Sequence, residues 1–143
     1  MDENDRVTFA LFHDSQQRLI SDRDEYQDFL AAFYQRFVAA SPKAAAHFEG
    51  TDMVRQRRML ARSLTEIIEF SETGVASDYL RQVARRHSHD ERNVEPELYE
   101  TWLDCLVATM RDFQPEADNE TELAWRVVLA PGVAYMQYLY DCY

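Results

Sequence analysis

The chain has 143 residues, enough for one domain with a single sizeable core. Apolar residues make up 46% and aromatics 13%, while only three glycines and four prolines occur, which leaves little turn material for a many-stranded sheet and favours an all-helical fold. A formal net charge of -11 argues against nucleic acid or an acidic membrane surface as partner, and no apolar run is long enough to span a bilayer.

Met1 to Ser15 has neither a basic start nor an apolar core, so no signal peptide and a cytoplasmic location are expected. In that reducing setting Cys105 and Cys142 are read as free thiols in packing positions. Val7 to Leu19 predicts a first helix with Phe9, Phe12 and Leu19 inward and His13 at the surface. Ser21 and Asp24 fit a capping pattern for a second helix, whose stripe of Tyr26, Phe29, Phe33, Tyr34 and Phe37 falls at helical spacing. Pro42 marks a turn or a short helix that leads to Phe48 and the Glu49-Gly50 break.

Thr51 or Asp52 can cap a third long helix with Met53, Gln56, Leu60, Leu64, Ile67 and Ile68 on its inner face. Its outer face is charged, and Arg62 and Glu66 are spaced to pair. Gln56 breaks the apolar period. A buried amide costs a few kcal/mol unless a partner satisfies it, so Gln56 sits at a mouth of the core or serves something polar inside.

After a loop at Ser71 to Ala76, Ser77 or Asp78 caps the helix that leads to the histidines. Residues three, four and seven positions earlier share a helical face. Before His87 these are Ala84, Val83 and Leu80, all apolar, and before His89 they are Arg86, Arg85 and Gln82, all polar. His87 is therefore expected to face inward and His89 to be solvated. An inward imidazole is either a core side chain satisfied by a backbone carbonyl or a ligand to a metal held in a pocket. Pro96 opens the next helix, which carries Leu98, Trp102, Cys105, Leu106, Met110 and Phe113. Asn119 and Glu122 open the last, and Pro131 within it should bend it.

Three groups of residues together resemble the globin family, in particular single-domain bacterial globins and the globin domain of flavohaemoglobins. Tyr34, Pro42 and Phe48, within FYQRFVAASPKAAAHF, resemble the distal tyrosine, the proline of the short third helix and the phenylalanine that packs on the haem. Gln56 and Leu60 resemble the distal glutamine and the leucine one turn later. His87, followed by Pro96, Leu98 and Tyr99, resembles the proximal histidine and the start of the next helix. The resemblance covers about Tyr26 to Tyr135. One spacing departs from it: seven residues separate His89 from Pro96, as the family has it, and nine separate His87 from it. The helical face selects His87, because a loop absorbs two residues more easily than a core accepts a solvated face.

The resemblance implies a single globin domain over residues 1–143, with six to eight helices around a b-type haem. His87 is the expected iron ligand, its other ring nitrogen held by a carbonyl near Val83 or by Ser88. Tyr34 and Gln56 would donate hydrogen bonds to a bound gas. Phe48, Leu60, Val83, Ala84 and Tyr99 would contact the haem. Arg81, Arg85, Arg86 and His47 are candidates for its propionates, at least two of them being simply solvated. The implied function is reversible binding of oxygen, nitric oxide or carbon monoxide. A nitric oxide dioxygenase or weak peroxidase fed by a separate reductase is the enzymatic alternative, and a gas-sensing or interaction module the third. Only Asp141 stands where flavohaemoglobins carry a C-terminal glutamate, which argues against a strongly polarised proximal side. The sequence leaves the oligomeric state open, a homodimer included.

Overall fold

The predicted apolar stripes become seven α-helices in the computed structural model, which describes residues 2–143: α1 (Glu3–Ile20), α2 (Arg23–Ala40), α3 (Pro42–Phe48), α4 (Met53–Thr73), α5 (Asp78–Arg86), α6 (Pro96–Phe113) and α7 (Asn119–Leu139). Met1, the first residue screened for a leader, lies outside the described residues. Short polar side chains start most of the helices. Asp2, Ser41, Asp52, Ser77 and Asp118 each accept a hydrogen bond from a first-turn N–H. At α2 the cap is Asp22, which accepts from the N–H groups of Asp24 and Glu25. The expected Ser21 instead donates its hydroxyl to the Arg18 carbonyl and finishes α1. The carboxylate is the stronger acceptor and takes the cap. Helix α4 runs three residues into the expected loop, as far as Thr73, and ends at Gly74 in the left-handed conformation, φ 72°.

Helix α1 packs on α2 and α7, α6 lies against α2 and α7, and α4 packs on α2 and α7. Phe12, Phe29, Leu30, Phe33, Leu106, Met110, Val128 and Leu129 are essentially excluded from solvent. Aromatic edges lock the layers: Phe12 meets Trp125 at 5.0 Å and Phe29 meets Phe113 at 5.7 Å. The polar atoms buried there satisfy one another. Ser15 donates to Gln114 at 2.5 Å, the Gln114 amide donates to the Ser15 carbonyl at 2.8 Å, and the Trp125 indole donates to the Ser15 hydroxyl at 3.0 Å.

Two features of α7 shape the interior. Helix α7 continues through Pro131. Pro131 takes away the donor for the carbonyl of Val127, and both residues are solvent-exposed, so water can satisfy the oxygen left free. At Gly132 an added Cβ would stand 2.5 Å from Cγ2 of Ile67, so only glycine permits this approach of α7 to α4. Arg62 does not pair with Glu66. Its guanidinium lies over the Tyr79 ring at 4.1 Å, where an aromatic face competes with a solvated carboxylate.

Candidate functional site

A cavity of about 430 Å³ opens among α2, α3, α4, α5, α6 and α7, within the size range of a small-molecule site. Helix α1 contributes nothing to its wall; its place is behind α7 and α2.

One wall is built by the end of α5 and the start of α6. Helix α5 stops at Arg86, and His87 caps it with its N–H donating to the Val83 carbonyl at 3.0 Å. The chain then folds into a closed turn. Val94 donates back to the His87 carbonyl at 3.0 Å, Asn93 adopts a left-handed φ of 53° and donates to Ser88, and Ser88 is wholly buried. This turn accommodates the long interval between His87 and Pro96. His87 lines the cavity, and Nδ1 stands 3.1 Å from the Tyr99 hydroxyl. Nε2 has no partner, yet no enclosed side-chain polar atom among the described residues is unsatisfied, so Nε2 faces open space. Burial, reinforced by Arg92, His47 and Arg86, lowers the His87 pKa to about 4 and keeps the imidazole neutral. His89 lies beyond the helix with its side chain 60% exposed, beside Asp90, and it does not line the cavity.

The expected partner of Nδ1 was a carbonyl near Val83 or Ser88. Both are otherwise engaged: the Val83 carbonyl accepts the His87 N–H, and the Ser88 hydroxyl donates to Arg85 at 2.6 Å. Tyr99 takes that place. Whether its hydroxyl accepts from Nδ1 or donates to it decides which ring nitrogen carries the proton; only acceptance leaves a lone pair on Nε2.

Tyr34 and Gln56 both line the cavity. The Gln56 amide donates to the Tyr34 hydroxyl at 3.2 Å, while that hydroxyl reaches the Gln56 carbonyl only at 3.5 Å, the long limit of a hydrogen bond. Gln56 therefore holds the phenol oxygen and leaves its proton weakly engaged. Burial raises the Tyr34 pKa to about 12, so the phenol keeps that proton at neutral pH. Phe48 meets Tyr34 edge-on at 5.2 Å, and Leu60 adds an aliphatic surface.

Of the other expected contacts, Val83 and Tyr99 line the cavity, whereas Ala84 is buried in the packing and does not. Among the basic candidates, His47 and Arg86 reach the rim. Arg81 binds the Ala76 carbonyl and Asp78, and Arg85 lies over the Tyr143 ring. Arg92, from the closed turn, joins the rim instead, because the turn and not the helix aims it. Met59, Trp102, Val133 and Met136 also line the wall without having been singled out. Met59, three residues after Gln56, and Trp102, three after Tyr99, were within reach of the face argument, but Val133 and Met136 depended on the packing of α7.

The donor set is specific about what it can hold. Among the described residues the wall offers two imidazoles, His87 inside and the exposed His47 at the rim, and neither a carboxylate nor a thiol, and there is no group of three metal-ligating side chains. A bare ion needs several protein ligands. A single nitrogen facing a mostly apolar space suits a flat group that brings its own ligand atoms, with carboxylates turned toward a basic rim.

A family model for globins matches residues 31–136, and the chain belongs to the globin family. It is similar to a solved structure from Pseudomonas aeruginosa PAO1, described as structurally highly homologous to a human hemoglobin. Identity is 29%, the match covers 93% of this chain and 98% of that one, and the TM-score is 0.83. No curated protein matches the chain in sequence. Globins typically bind haem. The fold is the all-α globin fold, and among the described residues no helix is long and apolar enough to cross a membrane.

Proposed function

We propose that the chain binds b-type haem through His87 Nε2 and reversibly takes up a diatomic gas on the Tyr34 side of the cavity. The observation that carries this reading is the buried, neutral imidazole of His87, held at Nδ1 by Tyr99 and open at Nε2 toward the cavity. A haem iron held there supplies the binding of oxygen, nitric oxide or carbon monoxide. The protein's own residues do the rest. Tyr99 orients the imidazole by accepting from Nδ1. Phe48, Leu60 and Val83 give apolar surface for the porphyrin, Arg86 and Arg92 face its carboxylates with positive charge, and His47 offers a ring N–H beside them. Tyr34 presents a phenol proton to the gas, and Gln56 steadies the oxygen that carries it.

Gas binding is favoured over a peroxidase-like reaction because no carboxylate lines the cavity to polarise the imidazole through Tyr99. The test is an absorption titration of the purified chain with haem, oxidised and then reduced. A Soret band saturating at one haem per chain is expected, and a chain that stays colourless overturns the reading.

A further inference from the structure

Helix α7 packs against α1, α4, α5 and α6, yet one side of it stays open to solvent. Leu123, Val127, Ala130, Pro131, Ala134 and Tyr138 are all exposed there. Their spacings of four, three, one, three and four residues keep them on one stripe of the helix. Charged residues make up 29% of the chain, but the stretch from Leu123 to Tyr138 holds only Arg126. That arginine lies off the stripe and is engaged by Asp104 and Glu122. An exposed helical face ordinarily carries the charges that keep copies of a protein apart. This stripe carries none, although the chain has a formal charge of -11.

The spacing is the same in both directions. A two-fold axis between Ala130 and Pro131, with a second α7 antiparallel to the first, sets Leu123 opposite Tyr138, Val127 opposite Ala134 and Ala130 opposite Pro131. Large side chains then meet at the ends and small ones at the centre, where two helices can approach closely. We propose that the outer face of α7 is a contact between two copies of this chain, joined antiparallel about that axis. Charge selects the same occupant. A second copy brings the same -11, so it is repelled least where neither surface bears a carboxylate, whereas a basic partner is drawn to the acidic remainder. Leu123 is 60% exposed, Val127 46% and Tyr138 77%, and with the smaller residues they offer on the order of 600 Å² per copy. A standard interface takes about 800 Å² from each partner, so a modest, reversible dimer is expected. Glu120 and Asp141 lie beyond the two ends of the stripe, in solvent, where salt screens them. The Val127 carbonyl that Pro131 leaves free keeps its water, since interfaces are routinely wet. None of the six residues lines the cavity, so the contact is independent of what the cavity holds.

Sedimentation velocity of the purified full chain, from about 1 to 100 µM, should show a monomer–dimer equilibrium. Ala134→Glu puts a carboxylate at the centre of the stripe and should raise the dissociation constant about a hundredfold or more, with helix content by circular dichroism unchanged. If that variant fails to fold, Val127→Glu places the charge on the facing position. Raising salt from about 0.05 to 0.5 M should tighten the dimer, because two like-charged copies then repel less. The register is tested by cross-linking in a Cys142→Ser background, which removes the exposed native thiol. Val127→Cys combined with Ala134→Cys should give a covalent dimer with oxidised glutathione. Either change alone should not, because each position faces the other and not itself. A chain that stays monomeric, a dimer that Ala134→Glu leaves intact, or weakening by salt overturns the contact. No cross-link with the cysteine pair, or equal cross-linking by one cysteine, overturns it as well.

Discussion

Each side of the cavity pairs a tyrosine hydroxyl with a side-chain nitrogen, yet the two pairs have opposite logic. At one side Tyr99 stands 3.1 Å from His87 Nδ1, and the imidazole lies between the phenol and the site. At the other, Gln56 donates to Tyr34 at 3.2 Å, and the phenol itself meets whatever enters. On the proposed function, Tyr99 would act only through the histidine beside it, while Tyr34 would meet the bound gas directly. The same chemical pair thus serves as a support on one side and a contact on the other, according to which member faces the cavity.

The largest break in that comparison is removal of the imidazole. His87→Ala should abolish haem binding or leave it loose and rescuable by added imidazole, whereas His89→Ala should leave the absorption spectrum and ligand rates unchanged. The reverse outcome would place the ligand in the solvent-exposed turn. Next comes the direct contact. Tyr34→Phe keeps the shape and removes the proton, so stopped-flow oxygen dissociation should accelerate about tenfold or more, equivalent to about 1.4 kcal/mol. Adding Gln56→Leu to it should raise the rate less than about twofold further, because Gln56 works by holding the Tyr34 oxygen.

Tyr99→Phe tests the support. Losing one neutral hydrogen bond of about 1 kcal/mol should raise haem loss to an acceptor protein roughly fivefold while changing oxygen dissociation little. A larger effect on oxygen than on haem retention would contradict the indirect role. The smallest effect is with pH. Tyr34 has its folded pKa raised from 10.0 to about 12, so both folded and unfolded chains keep the proton below pH 10. Oxygen dissociation should be flat from neutral pH to pH 10. As pH rises from 10 toward 12 the unfolded chain loses the proton first, and stability should fall across that window in urea titrations. Tyr34→Phe should flatten part of that fall.

Much of the fold was legible because apolar spacing and capping chemistry are local. The aromatic run from Phe29 to Phe37 is buried where its period places it, and Asp52, Ser77 and Pro96 start helices where their side chains dictate. Misreadings arose where two local signals competed, as with Ser21 and Asp22, or where a distant partner outbid a neighbour, as Tyr79 did for Arg62. The site divides in the same way. The inward face of His87 followed from Leu80, Val83 and Ala84, and the anomaly of Gln56 from an amide in an apolar period. Helical rotation could not by itself settle His89, since α5 ends at Arg86 and a turn carries the chain outward.

By itself the sequence determined the helices, the inward stripes and the resemblance to globins, since each depends on residues within a few turns of one another. Only the tertiary structure decided that Tyr99 holds His87, that Gln56 holds Tyr34, and that Arg92 replaces Arg81 and Arg85 at the rim. Those relations join residues on different helices, and side chains from separate elements meet only when packing has fixed the distances between the helices that carry them.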